Sequence, residues 1–212
     1  MKRMATIAAV LLAVALGALS LDLTRPTSVI AKSGMPDPAL TGAPAEGTCF
    51  TCHNGGLNDA NGGVLIFNVP AQYTPGQVYG IGVVLVRAFG SSRWGFEATA
   101  LTGGGQMAGT LDDNNNFVGK QTQGGIQYVS HTTLKGFDGT YADSSGGVWT
   151  FYWTAPPVGT GPVTFYATGA ACDNDSDANA GDFTYTTTVA SSEGAATDVK
   201  SITWGKIKQL YR

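Results

Sequence analysis

Residues 148–154 set Trp149, Phe151 and Trp153 on one side of an extended chain and Thr150, Tyr152 and Thr154 on the other. Successive side chains of a β-strand point to opposite faces, so this alternation suits a half-buried strand and no helix. Residues 163–168 repeat it, with Val163, Phe165 and Ala167 opposing Thr164, Tyr166 and Thr168. Further strand candidates lie at Val64–Val69, Val78–Arg87, Trp94–Leu101, Met107–Leu111, Gln127–Thr133 and Phe183–Val189. Turn chemistry separates them: Thr74-Pro75-Gly76, Asp113 to Asn116, Ser144 to Gly147, and Pro156-Pro157 followed by Gly159 to Pro162. About eight strands at this spacing predict an all-β fold of two packed antiparallel sheets.

Composition agrees, with 30 glycines in 212 residues and only 13% charged residues. The length suits a leader and one domain. A net charge of -3 with no basic stripe in the folded part excludes a nucleic-acid surface. Lys2 and Arg3 followed by the apolar run Ala5 to Leu19 predict a secretory leader over residues 1–31, cleaved after Ser20 or Ala31. Cleavage leaves no integral membrane span; an uncleaved leader over Met4 to Leu21 would anchor the chain. Either way the domain is expected outside the cytoplasm, in a periplasm or at the cell surface.

Residues Leu21 to Gly47 lack periodicity and are rich in Pro, Ser, Thr, Gly and Ala, the composition of a linker. It leads into Cys49-Phe50-Thr51-Cys52-His53, so residues 32–62 are expected as linker and attachment segment and 63–190 as the sandwich. A Cys-x-x-Cys-His run is the attachment signature of c-type haem. Cys49 and Cys52 would bond the porphyrin edge and His53 would take the iron as proximal ligand. One covalent haem c in an exported chain predicts an electron-transfer protein with a separate redox partner protein, and not an enzyme.

Other uses of these residues stay open. Cys49 and Cys52 could form a structural disulfide in an oxidising compartment. A zinc site would need two more ligands, for which Cys172 and His131 are the soft candidates. A thioredoxin-like pair would need a βαβ context that is missing. For the sixth iron position the preferred candidate is His131, with Met107, Met35 or solvent behind it; the plain role for His131 is a core or turn histidine bonded to backbone. An open sixth position would instead suit a haem-based sensor or redox enzyme. Cys172 is expected buried.

Asp173, Asp175 and Asp177, with Asp182 beyond, resemble the first half of a calcium loop, since a hard cation wants several oxygens from one turn. Ala178 stands where the turn glycine belongs and Thr184 where a bidentate Glu belongs, so a solvated hairpin loop competes with Ca2+. No Gly-x-Ser-x-Gly elbow or paired-carboxylate segment marks a hydrolase. Across 191–212, a linker precedes Trp204, Ile207 and Tyr211 with Lys200, Lys206, Lys208 and Arg212 around them, predicting a short basic amphipathic helix. Such a tail could pack on its own domain or serve surface or self association.

Several stretches together resemble the bacterial reelin-like domain, also termed the choice-of-anchor V domain. They are Gly42-Ala43-Pro44, Gly47 to His53, Tyr73 to Gln77, Trp94 to Leu101, Tyr128 to Thr132, Trp149 to Pro156 and Gly161 to Thr168. The resemblance implies an immunoglobulin-like β-sandwich on exported or surface proteins, often with the Cys-x-x-Cys-His element ahead of the first strand. It implies no defined enzymatic activity. It also implies a structural alternative for His131, because a His before Thr at this position occurs in reelin-like domains that lack the haem motif. Ordinary class I cytochromes c differ, since the enclosing helices and the Met-bearing loop are missing. The ending Thr203 to Arg212 resembles a short tail of some exported bacterial proteins.

Overall fold

The structure is a computed structural model that describes residues 32–113, 115–178 and 181–195. The expected leader and C-terminal helix lie outside these residues. Among the described residues eleven strands form two sheets: β1 (Gly56–Leu57), β2 (Gly62–Phe67), β3 (Gln72–Tyr73), β4 (Val78–Arg87), β5 (Arg93–Thr102), β6 (Thr110–Asp112), β7 (Val118–Gln123), β8 (Ile126–His131), β9 (Gly146–Thr154), β10 (Val163–Cys172) and β11 (Phe183–Glu193). The larger sheet runs β1-β11-β10-β5-β8-β7, with β3 beside β11; the smaller runs β2-β4-β9-β6. All pairings are antiparallel except the two-residue strands β1 and β3, which run parallel to β11. The fold is therefore an immunoglobulin-like, all-β sandwich.

The alternation in β9 and β10 falls as expected. Trp149, Phe151 and Trp153 enter the core while Thr150 and Tyr152 stay exposed. They meet Ile81, Val83 and Leu85 of β4, Phe96 of β5 and Phe165 of β10. Phe96 stacks on Trp149 at 4.6 Å between centroids, and Trp153 meets Phe165 edge-on at 4.9 Å. The buried indoles keep partners, Trp149 Nε1 donating to Gly139 O at 2.7 Å and Trp153 Nε1 to Ala108 O at 2.8 Å. Unpaired, each N–H would cost about 1–3 kcal/mol.

All eight expected strands have counterparts, but one is displaced and three were not expected. Met107 makes only an isolated bridge to Leu101, and β6 begins at Thr110. β7 is a polar edge strand, Val-Gly-Lys-Gln-Thr-Gln, with no alternation to announce it. Its hairpin to β8 turns on Gly124 and Gly125, at φ 58° and 85°. A two-residue turn of this hand suits the twist of paired strands, and glycine meets its positive φ without a Cβ penalty.

β5 departs from a half-buried strand, since Trp94 to Leu101 is buried on both faces. Trp94, Phe96, Ala98 and Ala100 face the core. The opposite face, with Glu97 and Thr99, is covered by the segment expected as a linker. Leu40 N–H donates to Glu97 Oε2 at 2.7 Å, Tyr128 O–H donates to Glu46 Oε1 at 2.7 Å, and Thr41 bridges to Thr48. Residues 40–53 thus lie on the outer face of the larger sheet, and the Cys-x-x-Cys-His run lies with them.

Candidate functional site

Residues Cys49–Thr51 form one 3-10 turn, capped by Thr48, whose hydroxyl accepts the Phe50 N–H at 3.2 Å. Cys49 O then accepts from Cys52 N at 3.1 Å and from His53 N at 2.8 Å. Residues 49, 52 and 53 stand at i, i+3 and i+4, which one helical turn places on one side. The motif is therefore folded as a unit, carried on the sheet by Cys49 N–H to Thr168 Oγ1 at 3.4 Å and by Thr184 Oγ1–H to His53 O at 3.0 Å.

His53 Nδ1 lies 2.6 Å from Asp182 Oδ2, a hydrogen-bond distance. The Asp182 side chain is only 4% exposed, and its Oδ1 accepts the Asp173 N–H at 3.2 Å. Backbone thus fixes the carboxylate, and the carboxylate fixes the ring. His53 Nε2 has no partner among the described residues. Cys172 Sγ lies 3.4 Å from His53 Nδ1, and the three ligand atoms of His53, Cys172 and Asp182 lie within 4.8 Å of one another. That set of N, S and O donors could also hold a transition-metal ion, though only by taking Nδ1 away from Asp182.

The thiols are neutral at ordinary pH. Burial pushes Cys49 up to about 12, opposed by the Thr168 hydrogen bond. Burial also raises Cys52, with Asp37 adding to it, and raises Cys172 strongly, with Asp182 adding to it. A nucleophilic cysteine needs the opposite shift, so this pocket is not built for thiolate catalysis. A thioether or disulfide sulfur carries no charge and suits the same burial.

The other expected ligands fall differently. His131 is buried where β5 and β8 part, after only Glu97–Ser130 and Ala98–Val129 have paired. Its Nδ1 accepts the Phe96 N–H at 3.1 Å and its Nε2 lies 3.3 Å from Lys32 O. The ring completes the ladder in place of strand backbone, with Nδ1 also 3.3 Å from Phe96 O. Gly95 makes room for it, since a Cβ there would sit 2.8 Å from His131 Cε1. Met107 accepts the Gln127 N–H at 3.4 Å and is bridged to Leu101, whereas Cys172, beside His53, pairs with Arg93 at the other end of β5. Eight residues of strand, roughly 26 Å, keep Met107 from His53. Met35 packs against Gly119, where a Cβ would meet its sulfur at 2.7 Å.

Among the described residues, the metal-ligating group that includes Asp182 is the one with His53 and Cys172, without Asp173, Asp175 or Asp177. Asp173 Oδ1 accepts the Asp175 N–H at 3.2 Å and Asp175 Oδ1 the Asp177 N–H at 2.7 Å, successive side-chain turns, while Asp182 is turned to His53. The acidic loop is a polar hairpin whose last carboxylate serves the histidine.

One buried group was not singled out from the sequence. Glu97 is fully buried, opposite Ser130 in register; its Oε1 has no partner, nor has Ser130 Oγ. Burial lifts its carboxyl to about 8, with Glu46 and Asp37 adding to the rise and the Leu40 N–H opposing it. A lone charge inside the apolar run Trp94 to Leu101 was the available signal.

No family model and no curated protein matches the chain. Solved structures do resemble it. The Reelin-N domain of F-spondin is similar at 20% identity and TM-score 0.44, covering 69% of this chain and 97% of that one. A human F-spondin reeler domain (fragment 1) is similar at 21% identity and TM-score 0.42, covering 64% and 89%. The seventh ScaB type I cohesin from Pseudobacteroides cellulosolvens is similar at 11% identity and TM-score 0.38, covering 66% and 96%. Among the described residues, no helix is long and apolar enough to cross a membrane.

Proposed function

We propose that the chain is an exported monohaem protein in which Cys49 and Cys52 hold one haem c and His53 ligates its iron, and that it exchanges electrons with a redox partner protein. The observation that carries this is the 2.6 Å contact of His53 Nδ1 with the buried Asp182. A metal-ligating histidine almost always donates its second ring nitrogen to a carboxylate, carbonyl or water, which fixes the tautomer and aims the other nitrogen. Asp182 does this for His53 and leaves Nε2 for the iron. The single turn formed by residues 49–53 gives the three motif residues a common side. A bound haem would supply a one-electron iron couple.

The chain's own groups do the rest. Leu40–Glu97 and Tyr128–Glu46 tie residues 40–53 to the outer face of the sheet. Because Cys49 is buried in the docked segment, its thioether would be made before that segment closes on the sheet.

Cys49 burial also favours a second function, an extracellular binding module in which Cys49 and Cys52 form a disulfide. One preparation separates the two. The full chain is produced in a bacterium with haem-ligation machinery, purified, denatured and examined as its pyridine haemochrome. A haem spectrum that survives denaturation and disappears in the Cys49→Ala/Cys52→Ala double variant is the expected result. A haem-free wild-type chain with neither cysteine open to alkylation would establish the disulfide instead.

A further inference from the structure

Asp182 closes the loop between β10 and β11 and sets its carboxylate against His53. Its two oxygens point to His53 Nδ1 and to the Asp173 N–H, and among the described residues no lysine or arginine pairs with it. A carboxylate removed from water without a counter-charge is costly, and sharing a proton with an imidazole relieves that cost. The neighbouring Cys172 Sγ lies farther from the ring nitrogen, 3.4 Å from His53 Nδ1 against 2.6 Å for Asp182 Oδ2.

We propose that Asp182 is the positioning residue of the site, one whose carboxylate makes His53 a strongly donating iron ligand and so lowers the reduction potential. The inference rests on the haem function proposed for His53. As the Nδ1 proton is drawn toward Oδ2, the ring gains anionic character and Nε2 becomes more basic. Oxidised iron carries one more positive charge than reduced iron and gains more from such a ligand. Reduction adds one electron to the iron, while the shared proton stays between Nδ1 and Oδ2. The low exposure of the pair strengthens the effect, since charges in a poorly solvated place interact more strongly than in water.

The test compares haem-loaded wild type with Asp182→Asn, each titrated with dithionite and ferricyanide in the presence of soluble mediators and followed by the haem absorbance. Asparagine keeps the shape and removes the charge. At a fixed poise the variant is expected to show an about tenfold lower ratio of oxidised to reduced iron, an upward shift of about 59 mV for a one-electron couple. An unchanged potential in a variant that carries covalent haem overturns the role of Asp182 and leaves the haem assignment standing. A wild-type chain without covalent haem overturns both. Where the Asn variant does not accumulate in loaded form, Asp182→Ala serves, because it also removes the charge. An upward shift of the potential in that variant supports the inference, and an unchanged potential overturns it. A structural role alone would lower the unfolding midpoint of Asp182→Asn without moving the potential.

Discussion

Replacing Glu97 with glutamine is expected to flatten the pH dependence of stability between about pH 5 and pH 9, making the variant more stable than wild type at the alkaline end. The folded carboxyl titrates near 8, raised by burial, whereas an unfolded glutamate titrates near 4.5. The folded chain thus holds a proton that the unfolded chain releases across this window. The contribution of the group to stability is fully present below the unfolded value and is lost as the pH rises through the folded one. At about 1.36 kcal/mol per unit, the total is on the order of 5 kcal/mol. Glutamine can still accept the Leu40 N–H and needs no charge, so urea unfolding across this range should show wild type losing stability while the variant holds. Parallel curves for the two proteins would mean that Glu97 is not shielded by the docked segment.

His131→Ala is expected to cost about 2–4 kcal/mol, because it opens a cavity and leaves the buried Phe96 N–H without its acceptor. The loss should appear as a lower denaturation midpoint. Burial depresses the imidazole's affinity for protons, so the ring stays neutral in the fold. Its stabilisation is present above the ordinary histidine value of 6.5 and is lost as the pH falls toward the depressed value. The acid limb of the wild-type profile should therefore weaken in the variant, opposite in sign to the effect of Glu97. In haem-loaded protein the spin state should stay unchanged, since both ring nitrogens lie within hydrogen-bond distance of backbone groups. Conversion from low to high spin in the variant would instead make His131 the distal ligand.

The chain announces much of the fold in its local pattern. Trp149, Phe151 and Trp153 alternate with polar residues, and any strand with that pattern must bury one face. β7 escaped because an edge strand pairs on one side only and buries little, so Val118–Gln123 carries polar side chains that resemble a loop. Its one local sign was the glycine pair at 124 and 125. Residues 40–47 escaped for a related reason. They are held by single contacts such as Leu40–Glu97 and by the Thr41–Thr48 bridge, none of which has a period.

The Cys-x-x-Cys-His run needed no tertiary information, since its spacing is that of a single turn and it folds as one. Which groups surround it was beyond the reach of local spacing. Asp182 stands 129 residues from His53, and its place in an acidic run suggested a cation loop. His131 is the other histidine of the chain, which made it the natural second ligand on inventory alone. The surroundings of both residues turn on register. The pairing of β11 with β1 and β10 carries Asp182 under the motif, and the early parting of β5 from β8 draws the His131 ring into the ladder. Alternation and turn spacing are properties of neighbours along the chain and can be read there. The partner of a buried carboxylate or imidazole is chosen by strand pairing and by the need to satisfy polar groups removed from water, and these exist only once the sheets have formed.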